Sequence, residues 1–229
     1  MLLHRYGGDR SWLFNLGVKI NETTGFTILW PDLRGHGENP TIKWSTLGGR
    51  DGDDLKAALN FLRSLKSENQ KTLVGESFGV YGVELGAFSA LKAASTEPQI
   101  KVLVLDSVSG SSDDLLRAAI SKCVGVDNSL VRVLTRMGMK SYLTGNYTDE
   151  STCEFAVLMQ DQRVLLLSGN DAGALRDATA SLQKCFRVSG NVEVRTDLPL
   201  SGFSLPSATG EQSEAYDRIV IEFFARNLR

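Results

Sequence analysis

One stretch of this 229-residue chain carries residue types at a spacing suited to covalent chemistry: Gly75-Glu76-Ser77-Phe78-Gly79, a G-x-S-x-G. A serine on a tight strand-to-helix turn needs small neighbours, because the backbone there is strained and passes close to other segments. The turn lifts the hydroxyl above a sheet, and the helix that follows offers N–H groups and the positive end of its dipole. Ser77 is therefore the candidate nucleophile and the Phe78 N–H a candidate oxyanion donor. Without such a turn, Ser77 would be an ordinary helix N-cap. Gly79, Gly82 and Gly86 follow at spacings of three and four and read as a small-residue stripe along the ensuing helix. No G-x-G-x-x-G or P-loop pattern occurs, so no nucleotide or other cofactor is implied.

The elements that must position such a serine follow from the hydropathy pattern. Apolar runs of strand length alternate with helical patterns, the signature of a mostly parallel sheet with helices on both faces. Six strands are predicted: Met1–His4, Gly25–Pro31, Lys71–Gly75, Lys101–Asp106, Arg163–Ser168 and Asn191–Thr196. Asp54–Leu65 has Leu55, Leu59, Leu62 and Leu65 on one helical face, and Glu211–Asn227 does the same with Ala215, Ile219 and Phe223. Residues 111–160 read as two or three short helices with no strand between them, a small cap inserted into one domain spanning 1–229. Apolar sequence begins at Met1 with no turn before it, so either leading strands are lost or the recorded start lies inside a longer reading frame.

Composition narrows the function classes. With 25 Lys and Arg against 27 Asp and Glu, the net charge is −2 and no long run has one sign, so no nucleic-acid partner is expected. No apolar stretch is long enough to span a bilayer, and no membrane partner is expected either. Cys123, Cys153 and Cys185 are odd in number and far apart, which predicts neither a disulfide framework nor a metal pair, and hence a reducing cytoplasm. His4 and His36 are the only histidines, too few for a multi-histidine metal site. Oligomeric state is not legible.

Two further segments give the G-x-S-x-G a context. His4-Arg5-Tyr6-Gly7-Gly8 follows the first predicted strand, and Pro31-Asp32-Leu33-Arg34-Gly35-His36-Gly37 follows the second. In this order, the chain resembles the α/β-hydrolase family, in particular its compact bacterial members with a Bem46-type arrangement, most specifically over residues 2–110. The resemblance implies a serine hydrolase of small esters, thioesters or amides. It implies a second oxyanion donor from a backbone N–H near Arg5 and Tyr6, and structural roles for His4, Arg34 and His36.

The family order is serine, then acid, then histidine. The resemblance offers two acids, Asp171 after the predicted strand at Arg163–Ser168, and Asp106 at the end of the strand before it. The histidine should lie within residues 196–210, and that stretch contains none. A serine hydroxyl without a base is a poor nucleophile, and losing the base lowers turnover by about 10⁶ in a template hydrolase. Two functions follow: a hydrolase of a small acyl substrate, or a catalytically inactive protein of the same fold that binds a small ligand or a protein.

Overall fold

The computed structural model describes residues 1–38, 44–124, 128–142, 147 and 149–228, with backbone alone at 121–124. Five parallel strands lie side by side in chain order: β1 (Leu2–Leu3), β2 (Phe78–Val83), β3 (Ile100–Asp106), β4 (Arg163–Gly169) and β5 (Val192–Leu198). The α/β architecture with a parallel sheet of about six strands is what the sequence pattern predicts. The segment predicted as a strand at Gly25–Pro31 has no regular pairing, yet it lies beside β1, where the Leu2 N–H donates to Leu29 O at 2.9 Å.

Both faces of the sheet are covered, so strand residues alternate between two cores. Leu103, Leu105, Val164 and Leu166 face a core shared with α2 (Asp51–Ser64), α3 (Leu85–Ala94), α6 (Thr152–Ala156) and α7 (Ala174–Leu182). Val102, Val104, Leu165 and Leu167 face the opposite core, built with α1 (Phe14–Thr24) and α8 (Gly210–Asn227). Helix α8 opens on a capping box, in which the Gln212 N–H donates to Thr209 Oγ1 while Gln212 Oε1 accepts from the Thr209 N–H. Residues 111–160 contain three helices, α4 (Ser112–Val124), α5 (Ser129–Tyr142) and α6, with no named strand among those described.

The largest departure from the sequence reading concerns the second central strand. The predicted strand at Lys71–Gly75 is an irregular loop, and the strand is Phe78–Val83, which the sequence reading gave to a helix. Its glycines lower strand propensity in isolation, but here they admit neighbours. A side chain at Gly79 would meet Phe224 at 2.8 Å, and one at Gly82 would meet Gly86 at 2.4 Å. Tertiary close approach decides the register.

A second correction concerns the cysteines. Cys153, at the start of α6, and Cys185, just beyond α7, form a disulfide with Cα atoms 5.1 Å apart. The unpaired thiols on which the reducing-compartment expectation rested are thus replaced by a cross-link across 32 residues. Closing a loop of that length stabilises the fold by about 3–4 kcal/mol in the chain-entropy account. The denatured, unreduced chain, with three cysteines in all, should therefore titrate one thiol, rising to three after reduction. Three thiols before reduction would contradict the pairing.

Candidate active-site region at the carboxyl edge of the sheet

In a parallel sheet the reactive groups collect where the strands end. At the end of β2 the chain turns sharply into α3, and the residue at the turn is Glu84, with φ 51° and ψ −105°. This backbone region is unfavourable for any residue with a side chain and costs about 1–3 kcal/mol. The sequence around it is Gly82-Val83-Glu84-Leu85-Gly86, a second pentapeptide with glycines four apart. Both glycines are required by space. A side chain at Gly82 would meet the carbonyl carbon and oxygen of Gly86 at 2.4 Å, and one at Gly86 would meet Leu3 O at 2.4 Å and His4 O at 2.7 Å. The strained strand-to-helix elbow is therefore present seven residues later than Ser77, and it carries a glutamate. That carboxylate precedes the N-terminus of α3, where the helix dipole favours negative charge.

Ser77 lies elsewhere. It precedes β2 at the opposite, amino edge of the sheet, where it lines an apolar cavity of about 470 Å³ with Met1, Leu73, Phe78, Phe224 and Leu228. Phe78 pairs with Ile100 and Val83 with Asp106, so Ser77 stands about 20 Å from Asp106 along the sheet, at roughly 3.3 Å per residue. Phe78 is buried as the first residue of β2, and its N–H already donates to Gln99 O at 2.8 Å. The structure thus separates Ser77 and Phe78 from both candidate acids and from Arg5 and Tyr6. The last two leave β1 beside the start of α3, as the contacts of Gly86 with Leu3 and His4 require.

The two acids do reach the carboxyl edge, where the protein's own backbone and hydroxyl groups engage them. Asp106 is fully buried; its Oδ1 accepts from Ser107 Oγ at 2.6 Å, and its Oδ2 accepts from the Gly202 N–H at 3.0 Å and the Tyr216 hydroxyl at 2.5 Å. Burial raises its pKa to about 6, and the three hydrogen bonds oppose that rise. Tyr216 also shares a hydrogen bond of 2.9 Å with the buried Tyr81 hydroxyl. Burial, first, and then the Asp106 charge hold both phenols well above their ordinary pKa. Asp171 Oδ1 accepts from the Ser201 N–H at 2.8 Å, fixing the loop after β5.

That loop, between β5 and α8, is where the family order calls for a histidine. Within it lies Gly202, where a side chain would meet Tyr81 Oη at 2.5 Å, Tyr216 Oη at 2.8 Å and Val83 Cγ2 at 2.9 Å. At that residue the loop has no room for an imidazole.

Neither existing histidine is placed as a base. His4 is buried, its Nδ1 bonded to Arg5 O at 2.8 Å and its Nε2 accepting from the Leu33 N–H at 3.0 Å, and burial lowers its pKa. His36 Nδ1 bonds Arg34 O at 2.8 Å and Nε2 accepts from the Gly7 N–H at 3.0 Å. Arg34 forks onto Asp54. These residues brace the loops, the role the sequence resemblance implied. Among the described residues no group of three or more His, Cys, Asp or Glu could hold a metal ion, and no helix is long and apolar enough to cross a membrane.

An esterase from Pyrococcus furiosus superposes with a TM-score of 0.73 at 19% identity, covering 100% of this chain and 81% of that one. A thermophilic esterase from Thermogutta terrifontis gives 0.67 at 15% identity, over 98% and 88% of the two chains. An enol-lactonase from Burkholderia xenovorans gives 0.61 at 15% identity, over 97% and 89%. No family model matches the sequence, and no curated protein is similar to it in sequence. The chain has the α/β-hydrolase fold.

The pKa of Asp106 makes the buried cluster testable. Because folding raises this pKa from 3.8 to about 6, the folded state holds the proton more tightly. The associated stability is complete below pH 4 and is lost as pH rises through 6. Between pH 4 and 7 the stability of Asp106→Asn relative to wild type should improve by about 2–3 kcal/mol. Denaturant titrations at each pH check this, and a pH-independent difference would contradict it.

Proposed function

We propose that this chain is a catalytically silent member of the α/β-hydrolase fold class that works by recognition. The observation that carries this reading is Glu84 in the strained elbow, the position from which the fold would present its nucleophile. A glutamate at that position supplies no hydroxyl to acylate. Two further observations support it. Asp106 is hydrogen-bonded to Tyr216 and Gly202, and the Gly202 position lacks room for an imidazole.

The serine-hydrolase reading, with Ser77 supported by Asp171 or Asp106, needs groups to meet that lie at opposite edges of the sheet. Leu116, Ala119 and Ile120 of α4, with Leu47 and Tyr147, pack against Tyr6 over the loop that leaves β1. This favours binding through the outer surface of the cap over binding of an acyl group beneath it. The Cys153–Cys185 bond favours an oxidising compartment over the cytoplasm.

Hydrolysis of nitrophenyl acetate tests the reading. Wild type and Ser77→Ala should be equal and near the uncatalysed rate. Glu84→Ser combined with Gly202→His should gain no turnover, because a side chain at 202 collides with both tyrosine hydroxyls. Turnover in wild type that falls by about 10³-fold or more in Ser77→Ala would overturn the proposal.

A further inference from the structure

Helix α5 presents an apolar face that the described residues leave uncovered. Val131 and Met139 anchor it to the cap cluster formed by Leu47, Leu116, Ala119, Ile120 and Tyr147. On its outer side, Leu130, Val133, Leu134 and Met137 recur at i, i+3, i+4 and i+7, each between 53% and 67% exposed. An amphipathic helix of a globular protein turns such a stripe inward; here the stripe faces out. At the helix end, Tyr142 is 65% exposed and stacks edge-on with Trp44, itself 47% exposed. A contiguous face of this kind on a water-soluble surface marks an interaction site.

The charge along the helix identifies the partner. Arg132, Arg136 and Lys140 follow one another at steps of four and so form one basic edge beside the stripe, and α5 contains no acidic residue. Arg136 also pairs with Asp149 and Asp113 from neighbouring segments, while Lys140 is exposed. A second copy packed antiparallel on the stripe would set its own basic edge against this one, and like charges repel there. An anionic bilayer satisfies all three features. Its hydrocarbon receives the stripe, its headgroup region suits Trp44 and Tyr142, and its negative surface attracts the basic edge.

We infer that the cap docks on anionic lipid surfaces through α5, with Leu130, Val133, Leu134 and Met137 entering the interface and Lys140 facing the headgroups. Lying on a surface differs from spanning it, so the expectation of no membrane partner, which rested on the lack of a spanning segment, does not bear on this face. Attachment neither requires nor excludes turnover, because α5 lies on the cap and not at the elbow.

Co-sedimentation of the full chain with sucrose-loaded vesicles tests the inference. Vesicles mixing phosphatidylglycerol with phosphatidylcholine should carry the protein down, and pure phosphatidylcholine should bind it roughly tenfold or more weakly, from about 1 kcal/mol per basic residue. High salt should weaken the anionic binding. Leu134→Asp with Met137→Asp should reduce partitioning by about tenfold or more. Both positions are exposed, so circular dichroism should show the fold unchanged. Lys140→Glu should diminish the preference for anionic vesicles while leaving the fold intact. No binding to either vesicle, or binding unaffected by the stripe variant, overturns the inference. A stripe-dependent dimer seen by light scattering without vesicle binding also overturns it, assigning the face to a second copy.

Discussion

The close crossing of three backbone segments governs this molecule. Gly82 in β2, Gly86 in α3 and the Leu3–His4 carbonyls at the end of β1 approach so closely that no side chain fits at either glycine. The chain can pass between them only by turning sharply at the intervening residue, which forces Glu84 to a positive φ of 51°. The strain is a requirement of the architecture, since helix α3 could not otherwise lie against the sheet. A fold built this way keeps its elbow whether or not the residue on it does chemistry, and here that residue is a glutamate. The elbow geometry therefore tells of fold; the side chain on it tells of function.

The same logic runs through the positions around the elbow. A working serine hydrolase needs an acid that orients a base and a base that reaches the nucleophile. In this protein the buried acid is part of the packing. Asp106 links the end of β3 to the loop after β5 and to α8, through Gly202 and Tyr216, and Tyr81 extends the chain of hydroxyls under the sheet edge. Asp171 ties the same loop to β4 through Ser201. Both candidate acids thus serve to hold that loop. A histidine placed at Gly202 would collide with the Tyr81 and Tyr216 hydroxyls of that network.

Much of the architecture was legible in the sequence because central parallel strands announce themselves. Val102–Leu105 and Val164–Leu167 are unbroken apolar runs buried on both faces, and the structure places strands over both. The strand that carries the elbow was not legible in the same way. Phe78–Val83 contains two glycines that read as strand breakers, while Thr72-Leu73-Val74 reads as a strand; only the proximity of Phe224, Leu228 and Gly86 explains the glycines. With the strand displaced, the serine pentapeptide drew attention and the glutamate pentapeptide at Gly82–Gly86 did not, although the spacing of their glycines is identical. The missing histidine was plain from the sequence, whereas the network that closes its position was not, since Tyr216 lies 110 residues from Asp106. The Cys153–Cys185 bond, too, depends on two helical segments meeting across the fold.

Intact-mass spectrometry after exposure to a fluorophosphonate probe bears most directly on the central claim, because the probe reports an activated serine without reference to any substrate. The elbow carries no hydroxyl and Ser77 stands at the edge of the sheet opposite both candidate acids, so the native chain should remain unmodified where an active serine hydrolase labels to completion. A rapid, stoichiometric adduct mapping to Ser77 would show that a nucleophile and a base meet at the amino edge of the sheet, and would contradict the account.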